Sequence, residues 1–305
     1  MDEPASSTSG TPSTTSPGET GTPASTTGES TSGAEESGSS TSTAGTSTGS
    51  ESSGGPQVHP CGADPDDPRA NTWVFIMLGQ SNMAGFGVCE AEDATPAERV
   101  FKLARNMQWA PGAESFNINP WSSETGAPCT IGNGGVGPSR AMAVWIRDNV
   151  APADVTIHVV NAAVSGSNIE SWNPDTPNAN YANALPYIQH ALEDGVACGF
   201  IWHQGEANSG TEPEDYAAMF EDLATAIRTE TGVPALPVVA GEVGTTSDEG
   251  RVNQALALLD ASDPNFAVAT SEDLTLVDNV HYDAPSQREY GARYADAWAS
   301  LIPQN

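Results

Sequence analysis

The stretch VFIMLGQSNMAGFG, Val74 to Gly87, decides how this chain is read. Five apolar residues run into Gly79, a serine follows two positions later, and Gly85 and Gly87 close the segment. An apolar run without polar alternation reads as a strand buried on both faces, which belongs in a parallel sheet covered by helices. A hydroxyl at the end of such a strand is out of place in a core. Asn82 to Ala84 suit a helical turn whose free amides point back toward Ser81, and such amides stabilise negative charge, including the oxyanion of an acyl transfer. The simpler reading of Ser81 is a helix cap.

Outward from this segment the pattern repeats. Short apolar runs at Trp73 to Leu78, Val155 to Val160, Ala197 to Trp202, Leu236 to Ala240 and Phe266 to Ala269 predict buried strands. Helical patterns at Ser139 to Asn149, Tyr181 to Leu192, Pro213 to Thr229, Gly250 to Leu259 and Pro285 to Leu301 alternate with or follow them. The expected fold is an α/β three-layer sandwich on a central parallel sheet of about five strands. In such sheets chemistry gathers at the carboxyl ends of the strands.

Composition divides the chain of 305 residues. Residues 1–56 are almost entirely Ser, Thr, Gly, Pro, Ala and Glu, without an aromatic, Lys or Arg. So little apolar surface cannot offset the ordering entropy, and the segment reads as a disordered acidic tether able to carry O-linked sugars. Residues 57–70 form a lead-in, and 71–305 are long enough for one large α/β domain. The formal net charge is −30, and no Lys/Arg cluster interrupts it, which argues against nucleic acid and anionic membranes as partners. No apolar run is long enough to span a membrane, and Met1 is followed by acidic residues rather than the basic start of a signal peptide. A Ser/Thr tether and a single lysine, Lys102, nevertheless suit a secreted or surface-tethered protein whose signal region is not in this chain.

Two further segments raise Ser81 above a cap. LVDNVHYD places Asp278 and His281 three residues apart before the last helix, where one carboxylate can fix the imidazole tautomer while the other ring nitrogen accepts a serine proton. GFIWHQGEAN ends a buried strand in His203, Gln204, Gly205 and Glu206, a crowd of polar groups that argues for a site. Metal and nucleotide readings fare poorly. His158 and His190 lack a second ligand at zinc spacing, the four cysteines form no C-x-x-C pair, and GNGGVGP at Gly132 to Pro138 lacks the Lys-Ser/Thr of a phosphate loop and reads as a flexible turn. No metal or cofactor is implied. An α/β-hydrolase would show G-x-S-x-G after several strands, whereas Ser81 follows the first strand and no glycine stands at Met83.

GQSNMAG, WHQGEAN and DNVHYD, in this order at strand ends, resemble the SGNH (GDSL-like) hydrolase superfamily, and within it the sialate O-acetylesterase and acetylxylan esterase branch, from about Thr72 to Leu301. The resemblance implies Ser81 as nucleophile, His281 as base and Asp278 as its acid, with Glu206 a rival or supplement to Asp278 or a brace for its own loop. It further implies an oxyanion hole from the amides of Ser81 and Gly166 and the side chain of Gln204. The substrate so implied is an acetylated carbohydrate or polysaccharide, with an acyltransferase or a non-catalytic carbohydrate-binding domain as alternatives. Trp109, Trp121 and Trp172 among Asn, Ser and Gly suit stacking on sugar faces, or else packing. If the first and third strands are neighbours, as in the related folds, Cys61 with Cys198 and Cys89 with Cys129 come within disulfide reach; the alternative is a buried, unpaired Cys198.

Overall fold

The computed structural model describes residues 59–118, 128–132, 134–244 and 250–303. The expected tether and Trp121 lie outside the described residues, as do Gln57 and Val58 of the lead-in. In chain order the strands are β1 (Thr72–Gly79), β2 (Gly87–Val88), β3 (Ala97–Leu103), β4 (Trp109–Gly112), β5 (Gly134–Val136), β6 (Thr156–Asn161), β7 (Val196–His203), β8 (Val238–Gly241) and β9 (Phe266–Ala269). The helices are α1 (Ser81–Ala84), α2 (Pro138–Asn149), α3 (Asn180–Asp194), α4 (Pro213–Thr231), α5 (Gly250–Ser262) and α6 (Ala284–Leu301).

Seven strands form the main sheet in the order β4-β3-β6-β1-β7-β8-β9, with β1 at its centre. β1 pairs in parallel with β6 on one side and β7 on the other, so the chain winds both ways from β1 and the carboxyl end of β1 becomes the crevice of the fold. Alternate residues of β1 feed two cores. Val74, Ile76 and Leu78 pack with residues of α3, α4 and α5, and Trp73, Phe75 and Met77 with residues of α2 and α6. Burial on both faces explains why β1 and β7 carry no polar alternation. The three-layer α/β architecture is the one expected from the alternating runs.

The sheet is larger than the expected five strands, and it is mixed. β3 pairs in parallel with β6, and β4 closes the edge antiparallel to β3. Both were hidden by composition: β3 carries Glu98, Arg99 and Lys102, and β4 carries Pro111 and Gly112. Lys102 is nonetheless buried, because its ammonium donates to Ala113 O at 2.7 Å and Ser115 O at 2.6 Å. The glycine-rich Gly132 to Pro138 stretch, expected as a turn, contains β5, which pairs antiparallel with β2. Its Asn133 lies outside the described residues.

Disulfides Cys61–Cys198 and Cys89–Cys129 join the pairs expected, with Cα separations of 4.5 and 6.3 Å. The first ties the lead-in to β7. The second ties the segment after β2 to the segment before β5. No helix among the described residues is long and apolar enough to cross a membrane.

Candidate active site

The site begins where β1 ends. Gly79 has φ +138°, and a Cβ there would stand 2.0 Å from the carbonyl oxygen of His203. Only glycine permits this approach, and the two strand ends are locked by Gln80 N–H donating to His203 O at 2.8 Å. The chain then turns directly into α1, which places Ser81 at a helix start, 4% exposed.

The loop before α6 comes to meet it. His281 Nε2 lies 2.9 Å from Ser81 Oγ, and His281 Nδ1 lies 2.8 Å from Asp278 Oδ2. The other oxygen of Asp278 accepts the backbone N–H of Val280 at 2.7 Å and of His281 at 2.6 Å. The hydrogen bond from the His281 ring, followed by the backbone N–H of His281, lowers the Asp278 carboxyl to about 2. Asp278 is therefore ionised throughout the ordinary pH range. Val277 N–H donates to His281 O at 2.8 Å and closes the turn. On its open face the imidazole is covered by Phe86, whose ring stacks on it at 3.8 Å and 9°. The apolar-glycine context of Phe86 gave no sign of this role in the sequence.

The Gly166 loop also reaches the end of β1. Val164 N–H donates to Gly79 O at 2.9 Å and Ser167 Oγ donates to the same oxygen at 3.3 Å, so the loop lies against the end of β1. Gly166 adopts φ +72°, which favours glycine. Among the described residues neither its amide nor that of Ser81 donates to a protein acceptor.

Gln204 and Glu206 have partners other than a bound oxyanion or His281. Gln204 has no spare donor: it is fully buried, and its Nε2 already donates to Asn208 Oδ1 (2.7 Å), Gln80 Oε1 (3.1 Å) and Ser167 O (3.2 Å). It lies beneath the site and ties the Gly166 loop to the ends of β1 and β7. Glu206 forms no hydrogen bond or ion pair with His281 among the described residues, in line with its reading as a brace. Its Oε1 accepts from Asn82 Nδ2 at 2.6 Å and faces His203 Nε2 at 3.2 Å. Burial pushes the Glu206 carboxyl up, but the His203 ring, its own backbone amide and Asn82 together outweigh that and hold it below its usual value. Of the two readings of the tryptophans, stacking or packing, Trp172 and Trp109 follow packing. Trp172 is fully buried, with its indole N–H on Ser167 Oγ at 2.9 Å, and Trp109 donates to Asp194 Oδ2 at 2.9 Å while packing on His158. Among the described residues no group of three or more His, Cys, Asp and Glu side chains could hold a metal ion.

A serine hydroxyl, an imidazole and a carboxylate in hydrogen-bonded series, with two unspent amides alongside, form the constellation of a carboxylic ester hydrolase on an α/β sandwich. The family model for the carbohydrate esterase, sialic acid-specific acetylesterase family matches residues 71–300, and the chain belongs to that family. A probable carbohydrate esterase of Arabidopsis thaliana is 24% identical over 250 residues, covering 74% of this chain and 90% of that protein. A crystal structure from the same plant is similar in fold, with TM-score 0.63, 22% identity and coverage of 75% of this chain and 98% of that one. A novel carbohydrate acetylesterase from Xanthomonas citri gives TM-score 0.56 at 20% identity, covering 75% of this chain and 56% of that one.

Proposed function

We propose that this protein is a serine esterase that removes small acyl groups, acetyl foremost, from carbohydrate hydroxyls through a covalent acyl-enzyme. The observation that carries the reading is the series Ser81 Oγ, His281 Nε2, His281 Nδ1 and Asp278 Oδ2, spaced 2.9 and 2.8 Å across its two hydrogen bonds.

His281 takes the Ser81 proton as Oγ attacks the ester carbonyl, and Asp278 holds the ring so that Nδ1–H faces the carboxylate. The negative charge of the tetrahedral intermediate falls to the amides of Ser81 and Gly166, with Gln204 fixing the Gly166 loop beneath them. The imidazolium then protonates the departing sugar oxygen. Water, activated by the same imidazole, attacks the acyl-enzyme and releases the acid with Ser81 restored. The carbohydrate part of the reading is supported by family membership. Two disulfides support action outside the cytoplasm, with residues 1–56 as a tether to a surface.

A serine-reactive organophosphonate should label Ser81 alone by peptide mass mapping, and Ser81→Ala should abolish acetate release from aryl acetate and from acetylated xylan without loss of folded protein. Labelling elsewhere, or acetate release by the alanine variant, sinks the proposal.

A further inference from the structure

We infer that Asn82, held in one orientation by buried Glu206, is a positioning residue that straps the His281 loop to the nucleophile. The inference rests on the reading of Ser81 and His281 given above.

Asn82 follows Ser81 directly and is 1% exposed. Its carboxamide is saturated. Nδ2 donates to Glu206 Oε1 at 2.6 Å and to Val280 O at 2.9 Å, and Oδ1 accepts from Tyr282 N–H at 3.2 Å and from Gln287 Nε2 at 3.3 Å. Val280 and Tyr282 flank His281, so one side chain grips the peptide groups on both sides of the base. Exchanging oxygen and nitrogen would set Oδ1 against a carboxylate and a carbonyl, and NH2 against an N–H and an amide NH2. The contacts to Glu206, Val280 and Tyr282 would be lost whichever way the Gln287 amide turns, so these three fix the orientation by chemistry.

The strap has work that the Ser81–His281 hydrogen bond cannot do. That bond is spent when the proton moves, and the imidazole must then face the leaving oxygen and later a water without the loop drifting. The backbone bonds Val277 N–H to His281 O and Asp283 N–H to Thr275 O are internal to the loop and do not anchor it to β1 or α1. Asn82 does, across about 200 residues of sequence, since its partners Val280 and Tyr282 stand 198 and 200 positions away. Glu206 acts one step further back. Its side chain is 5% exposed, its carboxylate accepts the Asn82 amide, and ring contacts pack His203 among Tyr282, Tyr290 and Tyr294. An ionised acceptor at this point admits only the NH2 end of Asn82.

The test is a double-mutant cycle on the full chain, read by aryl acetate kinetics and by amide exchange across residues 275–284. Asn82→Ala should lower kcat about 100-fold with KM nearly unchanged, because a shift of about 1 Å between reacting groups is enough for that loss. Glu206→Gln, which keeps shape but weakens the acceptor, should lower kcat roughly 10-fold, yet cost less than about 2-fold when added to Asn82→Ala. Exchange at Tyr282 should rise in each single variant. If Asn82→Ala does not fold, Asn82→Leu serves in its place: it keeps the approximate volume but loses Oδ1 and both Nδ2 donors, and the same kcat loss and faster exchange at Tyr282 are expected. Wild-type kcat in a folded Asn82 variant, a loss confined to KM, or full additivity of the two changes would overturn the strap. Should the wild type hydrolyse no ester, the esterase reading falls, and unchanged Tyr282 exchange in the Asn82 variant would independently remove the strap.

Discussion

Asp278 and Glu206 both sit within reach of the His281 loop, and they are built in opposite ways. Asp278 has a side chain 53% exposed and takes all its partners from its own loop. Glu206 has a side chain 5% exposed, and its partners His203 and Asn82 come from the end of β7 and from α1. An exposed carboxylate with local partners is cheap to hold and contributes little to the fold, so its worth lies in what it does to the imidazole. A buried carboxylate whose partners come from separate elements can be kept only by a network that other parts of the fold share. Proximity to a histidine in sequence or space does not tell these cases apart; the origin of the hydrogen-bond partners does.

The largest effect that would sharpen the contrast is on turnover. Asp278→Asn should lower kcat by about 10⁴-fold through loss of tautomer control, with a melting temperature close to wild type. Loss of the same size from Glu206→Gln in steady-state assays would erase the distinction. Stability should show the reverse order. Glu206→Ala leaves the His203 ring and the Asn82 amide without their acceptor and should cost about 3 kcal/mol in urea unfolding, against less than about 1 kcal/mol for Asp278→Ala. Equal losses would break the comparison.

A smaller effect concerns the ring that covers the base. Phe86→Ala removes the stack on His281 and should lower kcat roughly 10-fold, on the scale of an aromatic pair, while leaving Glu206 and its partners in place. Tyr282 amide exchange near the wild-type rate would keep the two supports separate. The smallest effect is in pH. Glu206 has a folded pKa below its usual value, so its ionised form contributes stability that is fully present above about pH 4.3 and lost as pH falls through the folded value. Between pH 6 and 3 the urea midpoint of the wild type should therefore fall more than that of Glu206→Gln. Parallel curves would show that Glu206 gains nothing from its setting.

The fold was legible where burial writes an unbroken apolar run: β1, β6, β7, β8 and β9 and the helices α2 to α6 all stand where periodicity puts them, within a few residues. Ser81, Asp278 and His281 were legible because polar residues at strand ends and in a short loop have no place in a core. β3 and β4 were not legible. A strand with Glu98, Arg99 and Lys102 reads as solvated, and only the carbonyls of Ala113 and Ser115 make the burial of Lys102 affordable. Gln204, Glu206 and Trp172 were visible as residues of a site but not in their partners. Whether an amide is spent, whether a carboxylate meets the ring or the strap, and whether an indole faces sugar or core are set by residues up to 124 positions away, as with Gln204 and Gln80.

The turn that carries Asp278 and His281, the proposed acid and base, also bears on how tolerant such a domain is of changes around it. Asp278, the two amides it accepts and the imidazole it orients lie within four consecutive residues, closed by the bridge between Leu276 and Tyr282. When acid and base come from distant elements, every insertion between them risks their alignment. Here the pair travels as a cassette. A change in length on either side would leave the Asp278–His281 geometry intact, and only its junction with the serine turn would have to be kept in step.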